Sequence, residues 1–404
     1  SGSGATAVEA YDQVTYLSQS QNPAALNPAQ YALTAVNSRS QYIAITADIT
    51  ARPANSAVKV TSPPTYPAQY LATLLTCGAD GPAVSSAHYL GEPAATNKLA
   101  GTGLYALDKI TDVEIIAIPG QGDPATVNAG VDYCKNTRPL QDCVFVGDLG
   151  SFGLVNAARV PGAQPTPNTI QDAVTFATTG FNGTPLDKSA GDFGAVYYPW
   201  VWSADPIGTG RNPMILLPPS GFVSGIYARI DNSRGVFKAP AGTEAGVAGA
   251  LSLATTVSDT EQDSLNPVSV NVLRTVPGSG FVVWGARTFA SDASWRYVPV
   301  RRMAVFLRTS LYYGIQWAVF EPNDEPLWAE LRLNIRAFML TQFRAGAFQG
   351  STPDDAFFVA CDSTTTTQQD IDNGVVNILV GFAPLKPAEF VVLKLSQKVN
   401  QTAS

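Results

Sequence analysis

The sequence predicts a multidomain protein that combines an open α/β sheet with an α+β region, and three observations lead to this expectation. Strand-like apolar segments alternate with helical ones between about residues 111 and 231, which favours parallel strands with right-handed crossovers. A long amphipathic helix is expected from Pro326 to Ala345. Before Pro67, apolar residues instead recur with a period of two, which indicates half-buried antiparallel strands and a β-rich N-terminal region.

Composition narrows the class of protein. With 404 residues and 45% hydrophobic content, the chain can bury a sizeable core. Only 14% of residues are charged, and there are 29 prolines and 34 glycines, which suits either a subunit that contacts copies of itself or a loop-rich globular protein. The net charge of −7, without long runs of Lys or Arg, argues against a nucleic-acid partner. No apolar run reaches the roughly 18 residues of a membrane span, so we expect no membrane insertion.

The N-terminal region contains two alternating segments, Ser38–Pro53 and Ser56–Ser62, which we interpret as strands. The proline-rich segment Pro63–Pro67 interrupts the pattern and is a candidate domain boundary. After it, three strands and three helices are expected. The strands are Thr111–Gly120, Asp142–Asp148 and Gly194–Ser203, and the helices are Asp123–Asn136, Thr166–Thr179 and Ser220–Asp231, the last with Phe222, Ile226 and Ile230 on one face.

The C-terminal third is expected to begin with a hairpin over Ser269–Thr288, whose turn is the PGSG segment. A strand-like stretch to Arg302 and a helical segment through Trp317 follow. Asn323 or Asp324 is expected to cap the long helix. Its apolar stripe is Leu327, Leu331, Ile335, Phe338 and Phe343.

Motifs that would carry catalysis are weak. The single histidine, His88, would have to serve any Ser-His-Asp or Cys-His mechanism, and because no G-x-S-x-G elbow occurs we interpret it as structural. Gly101–Ala106 matches G-x-G-x-x-A, but no strand-like segment precedes it, so a glycine turn is preferred to a dinucleotide site. Asp370 and Asp372 lack the other ligands of a calcium loop and fit a helix cap or turn. We therefore expect no catalytic residue, no cofactor and no metal.

Two further residue types need an explanation. The four cysteines, at 77, 134, 143 and 361, have neither zinc nor CxxC spacing, so buried reduced thiols are expected. Arg287, Arg301 and Arg302 lie in apolar, strand-like surroundings and need acidic or carbonyl partners. Those partners belong either to the same chain or to a neighbouring subunit, and the residues leave both alternatives open.

Several segments resemble the contractile bacteriophage tail sheath family, whose members also occur in phage-derived contractile injection systems. The resemblance covers about residues 77–397 in family order. Its most specific segments are PPSGFVSGIYARID (Pro218–Asp231), LNPVSVNVLR (Leu265–Arg274), WGART (Trp284–Thr288) and FEPN (Phe320–Asn323). It implies a variable outer region over 1–75, a subtilisin-like α/β domain without a catalytic triad over 76–275, and a C-terminal sheath domain with a terminal strand or arm over 276–404.

The resemblance implies a structural subunit that polymerises as stacked rings around a tail tube and contracts to drive the tube through a bacterial envelope. Its implied partners are identical subunits, the tube protein, and the baseplate and tail terminator proteins. The implied location is the virion, after assembly in the host cytoplasm. Candidate subunit-contact residues are Arg287, Arg301, Arg302, Glu389, Phe390, Val392 and Lys394, and candidate tube or lattice contacts are Arg332 and Arg336.

The start of the chain departs from the family pattern. It begins with SGSGATAVEAYDQ and does not show the family's usual N-terminal arm, a stretch of the YLSPGVYVEE kind, so a shortened N-terminus is expected rather than simple processing. The sequence leaves open whether the sheath belongs to a phage or to an injection system. A remote alternative from another class is an α/β nucleotide-binding enzyme.

Overall fold

The structure, a computed structural model, divides into two compact units, residues 1–83 and 84–404. It describes residues 32–36, 42–46, 86–94, 101–151, 169–180, 183–208 and 213–389. In the first unit, strands β1 (Ala32–Val36) and β2 (Tyr42–Thr46) form an antiparallel hairpin. The second strand was expected within Ser38–Pro53, whereas Ser56–Ser62 lies outside the described residues.

The second unit contains most of the described elements. Its strands are β3 (Ile115–Ile116), β4 (Gln121–Gly122), β5 (Val144–Asp148), β6 (Gly150–Ser151), β7 (Gly194–Tyr198), β8 (Val201–Ala204), β9 (Met214–Leu217), β10 (Ala250–Leu253), β11 (Val270–Val276), β12 (Gly280–Val283), β13 (Phe357–Ala360) and β14 (Leu379–Phe382). Its α-helices are α1 (Ser86–Leu90), α2 (Pro124–Asp132), α3 (Ile170–Thr178), α4 (Pro219–Arg234), α5 (Asp259–Leu265), α6 (Val298–Gly314), α7 (Glu325–Arg344), α8 (Pro353–Ala356) and α9 (Gln368–Asp372).

The central sheet has five strands in the order β12-β11-β7-β5-β3. The four strands β3, β5, β7 and β11 run parallel, and β12 returns antiparallel from β11 as a hairpin. Both the parallel pairing and the hairpin agree with the expectation from the sequence. β5 and β7 are buried along their whole length, which explains their continuous apolar character.

Helices cover both faces of this sheet, because alternate strand residues enter two separate hydrophobic clusters. On one face, Phe145 and Val196 pack with residues of α2, α3 and α5. On the other face, Val146 and Tyr197 pack with α4 and with Val298 at the start of α6. The central architecture is therefore a mixed α/β sandwich of three layers.

Two elements differ from the sequence-based expectation. The expected single strand Gly194–Ser203 is two strands, because Pro199 cannot donate to a ladder and β8 joins a separate antiparallel sheet of order β10-β8-β9. The prediction of a strand-like stretch up to Arg302 was also wrong for the last residues of that stretch. Helix α6 begins at Val298, and Pro299 fits its first turn, where no amide donor is required.

The C-terminal part pairs the two long helices with a small hairpin. Asp324 caps α7 and Pro326 stands in its first turn, as expected. Leu327, Leu331 and Ile335 of the predicted stripe are buried, and Phe338 and Phe343 are partly buried. The antiparallel strands β13 and β14 pack with α6 and α7 in the same cluster. Within the described residues, no helix has the length and hydropathy needed to cross a bilayer.

Candidate assembly interface

The most buried carboxylate among the described residues has a structural role. Asp148, at the end of β5, is 1% exposed and accepts hydrogen bonds from the amides of Gly120 (2.8 Å) and Ser220 (2.7 Å) and from the Ser220 hydroxyl (2.8 Å). Burial raises the pKa of Asp148 to about 6, and the three hydrogen bonds oppose that shift. Because Ser220 stands in the first turn of α4, this carboxylate joins the central strand to the helix start.

The other motifs with possible chemistry fit local structural roles. His88 lies exposed in the short helix α1. Gly103 has a φ of 57° and opens a 3-10 helix over Gly103–Lys109, which agrees with the glycine-turn interpretation. Thr367 caps α9, and the Asp370 carboxylate completes the capping box by accepting from the Thr367 amide (2.8 Å), which agrees with the helix-cap interpretation. Among the described residues, no cluster of three or more His, Cys, Asp or Glu side chains is arranged to hold a metal.

The cysteines that the structure describes are free thiols. Cys134, Cys143 and Cys361 are buried, as expected, and Cys77 lies outside the described residues. Burial raises the pKa of Cys134 and Cys361 above the ordinary thiol value, which suppresses the reactive thiolate form. These thiols therefore behave as small core residues.

Arg301 lies in a buried aromatic and acidic environment on α6. Its guanidinium stacks over Trp295 (3.7 Å) and Phe193 (4.3 Å) and pairs with Asp192. Asp192 also accepts from Lys135 at 3.0 Å. Burial lowers the pKa of Arg301 to about 10, so the neighbouring carboxylate and rings are what keep the cation in place.

Arg302 makes a second buried pair beside the first. Its Nη1 donates to Asp231 at 2.9 Å, and its guanidinium lies 4.5 Å from the centre of the Tyr227 ring. The Tyr227 hydroxyl in turn lies 2.6 Å from that of Tyr197 on β7. A charged group of α6 is thereby connected to α4 and to the middle of the central sheet.

Arg287 makes the third pair, and its partner is Glu389. Arg287 Nε and Nη2 each lie 2.6 Å from a carboxylate oxygen of Glu389. All three arginines thus have acidic partners in their own chain, which is the intramolecular alternative. A role in subunit contacts stays a prediction for them, and Phe390, Val392 and Lys394 lie outside the described residues.

The β13–β14 sheet has only two strands, and its outer face is apolar. Within residues 213–389, no further strand is paired to either edge. Phe358 is opposite Gly381 and Ala360 is opposite Leu379, so these four residues share one face. Phe358 is 53% exposed and Leu379 is 56% exposed. A two-stranded sheet with an uncovered apolar face and open edges is suited to accept another strand.

The two candidate tube or lattice residues lie on α7 and keep part of their charge accessible. Arg332 Nη2 pairs with Glu325 at 2.6 Å, and its side chain is 31% exposed. Arg336 pairs with Asp354 at 2.7 Å, with exposures of 52% and 80%. Such exposed pairs contribute little to stability and can exchange partners at an interface.

Comparison with known proteins decides the family. The family model for the phage tail sheath protein central domain matches residues 84–289, and the model for the phage tail sheath C-terminal domain matches residues 290–398. The chain belongs to the phage tail sheath family. The three arginine pairs therefore all cross the boundary between the two sheath domains, since Arg301, Arg302 and Glu389 lie after it and their partners before it.

The relatives include both phage and injection-system sheaths. The chain is 26% identical over 335 residues to the tail sheath protein of Vibrio phage KVP40, covering 76% of this chain and 46% of that one. It is 32% identical, with a TM-score of 0.58, to a chain of the contracted PVC sheath complex of an extracellular contractile injection system, covering 74% and 75% of the two chains. It is also similar to a chain in the anti-feeding prophage baseplate, at 28% identity, a TM-score of 0.57, and coverage of 73% and 71%. The chain spans about half the length of the curated relatives it matches: the match covers 46% of the Vibrio phage protein and 44% of a putative prophage major tail sheath protein of Pseudomonas aeruginosa.

Sequence reasoning missed the acidic partners of the arginines and the exposed face of the C-terminal hairpin. The Arg301–Asp192 and Arg287–Glu389 pairs are separated by 109 and 102 residues, a distance at which no local pattern connects them. The sequence around Phe358 and Leu379 only weakly indicates an exposed apolar face, because both residues belong to short segments in which no polar residue marks the solvent side.

Proposed function

We propose that this protein is the structural subunit of a contractile tail sheath, which polymerises as stacked rings around a tail tube and contracts to drive the tube through the host envelope. The observation that carries the proposal is the open-edged β13–β14 sheet in a chain of this family. The sequence after Glu389, FVVLKLSQ, alternates in a way typical of a strand. Added to a neighbour's hairpin, it would supply main-chain hydrogen bonds while leaving the linked subunits free to rotate.

In this proposal the energy of contraction is stored in the packing of subunits. The extended polymer is a trapped arrangement of higher free energy, and the contracted one buries more complementary surface, so no nucleotide is required. The three arginine pairs support the proposal, because they join the two sheath domains within one subunit. A subunit held together in this way can move as a unit while its connections to neighbours rearrange.

The proposed arrangement in the particle follows the expected division into 1–75, 76–275 and 276–404. We propose that the C-terminal domain is innermost and that Arg332 and Arg336, with Lys394, contribute polar contacts to the tube or lattice. The partial exposure of the two helix arginines supports this role. Residues 1–75 would face outward. Tube, baseplate and terminator proteins are the proposed partners, and the virion, assembled in the host cytoplasm, is the proposed location.

We further propose that the protein performs no reaction and binds no cofactor. The subtilisin-like label of the central domain then describes a fold only. The environment of Asp148 supports this reading, because its hydrogen-bond partners are two amides and one hydroxyl in the core and its carboxylate is 1% exposed. A buried carboxylate of this kind fixes a helix start and offers no surface to a substrate.

Electron microscopy of the purified protein tests the proposal. The full chain is expected to form rings or cylinders, and a variant that ends at Glu389 is expected to remain folded and soluble without forming them. Cylinders of normal length from the shortened variant would refute the strand-addition mechanism. Monodisperse globules that bind nucleotide would favour the enzyme alternative.

A second candidate is the sheath of a phage-derived contractile injection system, either a bacteriocin or a toxin-delivery particle. It is favoured by the 32% identity to the PVC sheath over about three quarters of both chains. Mass spectrometry of native particles distinguishes the two candidates, because a phage tail co-purifies with capsid proteins and DNA whereas an injection particle does not.

A further inference from the structure

The last described residues return from the C-terminal hairpin to the central domain. After β14, the amide of Gln349 donates to the carbonyl of Ala383 at 2.9 Å, and Pro384 forms an isolated bridge with Phe348. Glu389 then lies against Arg287, a residue of the central domain. The chain that precedes residues 390–404 is therefore attached to the body of the subunit at two separate places.

The second attachment, the pair of Arg287 and Glu389, we call the arm clamp. Two nitrogens of the guanidinium contact the two carboxylate oxygens at 2.6 Å each, which is the bidentate geometry of a strong charge-assisted pair. The third nitrogen donates to the carbonyl of Asn266 at 2.8 Å, and the Tyr297 hydroxyl donates to Glu389 at 3.1 Å. The arginine and glutamate side chains are only 12% and 18% exposed.

The arginine of the clamp is itself fixed to the central sheet. Its backbone amide donates to the side-chain oxygen of Asn271 at 2.7 Å, and the Asn271 amide nitrogen donates to the Arg287 carbonyl at 2.7 Å. Asn271 belongs to β11 and is 1% exposed. A Cβ on Gly285 would lie 2.9 Å from the Asn271 side-chain oxygen, so glycine is needed for this close approach. A side chain supported in this way has little freedom to reorient.

We propose that Arg287 is a positioning residue for sheath assembly: by holding Glu389, it fixes the point on the subunit from which residues 390–404 depart. This inference rests on the proposed function, and it gives Arg287 and Glu389 a role within their own subunit, whereas a direct contact of either residue with a neighbouring subunit stays a prediction. Without the clamp, the tether that leads to residues 390–404 would start at Pro384 instead of Glu389 and would be longer by five residues, or about 16 Å at roughly 3.3 Å per residue. A longer tether lowers the effective concentration of the segment at its docking site on a neighbour.

The first experiment measures the clamp in the free subunit, independently of assembly. A glutamate-specific protease cuts after Glu389 only when that residue is released, so the rate of this cut reports clamp opening. Arg287→Gln is expected to accelerate the cut about tenfold or more, and Arg287→Lys, which keeps the charge and loses the fork, should have a smaller effect. Arg234→Gln is the matched control, since Arg234 pairs with Glu244 at an exposed position far from the clamp in sequence. Equal rates in the wild type and Arg287→Gln would overturn the proposal.

The second experiment measures assembly by light scattering and electron microscopy. At a temperature at which every variant of the free subunit is fully folded, Glu389→Gln is expected to slow cylinder formation, and the charge-swapped double variant Arg287→Glu with Glu389→Arg should recover part of the rate. Assembly at the wild-type rate by Glu389→Gln, or an assembly defect that follows a lowered melting temperature in every variant, would contradict a positioning role. If the wild type itself forms no polymer, the proposed function fails, whereas the protease result still decides whether the clamp exists.

Discussion

Replacing Asp148 by asparagine tests the buried carboxylate that joins β5 to α4. Its pKa is raised from 3.8 to about 6 by burial, a difference of about 2 units, which corresponds to about 3 kcal/mol at roughly 1.4 kcal/mol per unit. Because the folded-state pKa is the higher one, the folded protein binds this proton more tightly than the unfolded chain does. The contribution of Asp148 to the free energy of unfolding is therefore fully present below about pH 4 and is lost as the pH rises through 6.

Urea unfolding of the wild type and Asp148→Asn between pH 4 and 7.5 measures this contribution. The difference in unfolding free energy, variant minus wild type, should rise by up to about 3 kcal/mol across that range, since asparagine does not ionise. Asparagine also has one acceptor oxygen fewer than aspartate, and this loss adds a pH-independent amount to the difference in unfolding free energy, which does not affect the test. Asp354→Asn, at a side chain that is 80% exposed, controls for removal of a surface charge. A difference that is flat with pH, or that falls, would show that the pKa of Asp148 is not raised in the folded protein.

Three other substitutions and one chemical treatment have outcomes set by packing and charge. Gly130→Ala should destabilise the protein by about 1–3 kcal/mol, because the new Cβ would lie 2.3 Å from a buried aromatic ring. Gly221→Ala lies in another helix, where a Cβ would meet nothing within 4 Å, and should stabilise the protein by about 0.5–1 kcal/mol. Calorimetry of both variants tests whether the two changes in stability have opposite signs. Asp231→Asn should lower the unfolding free energy by about 3 kcal/mol in urea titrations, because it leaves Arg302 buried without its carboxylate. Cys134, which is fully buried and has a raised pKa, should resist alkylation at pH 8 in native protein and react completely in urea, as peptide mass spectrometry would show.

Much of the central fold could be predicted because its signals are local. The alternation of short apolar strands with capped helices is enough to expect parallel pairing, and β3, β5 and β7 are indeed parallel. The cap and first turn of α7 were predicted from the residue types that a helix start requires. Such features depend on a few neighbouring residues, which a single sequence displays directly.

The features that were wrong or missed depend on competition or on distance along the chain. The segment before Arg302 has β-branched residues that favour a strand, but helix α6 forms because its apolar side chains are buried against the central sheet and α7. The partner of Arg287 lies 102 residues away, so nothing near either residue indicates the pair. The candidate contact residues were therefore predicted without their partners, and the structure supplies the partners of the three arginines.

In the proposed mechanism, this polypeptide works by adding its terminal segment to copies of itself. Electron cryomicroscopy of the assembled particle tests it most directly, at a resolution that traces residues 390–404 from the arm clamp. We expect this segment to lie as an added strand on the β13–β14 sheet of a neighbouring subunit. A segment that pairs with the hairpin of its own subunit throughout an intact polymer would contradict the proposed strand addition.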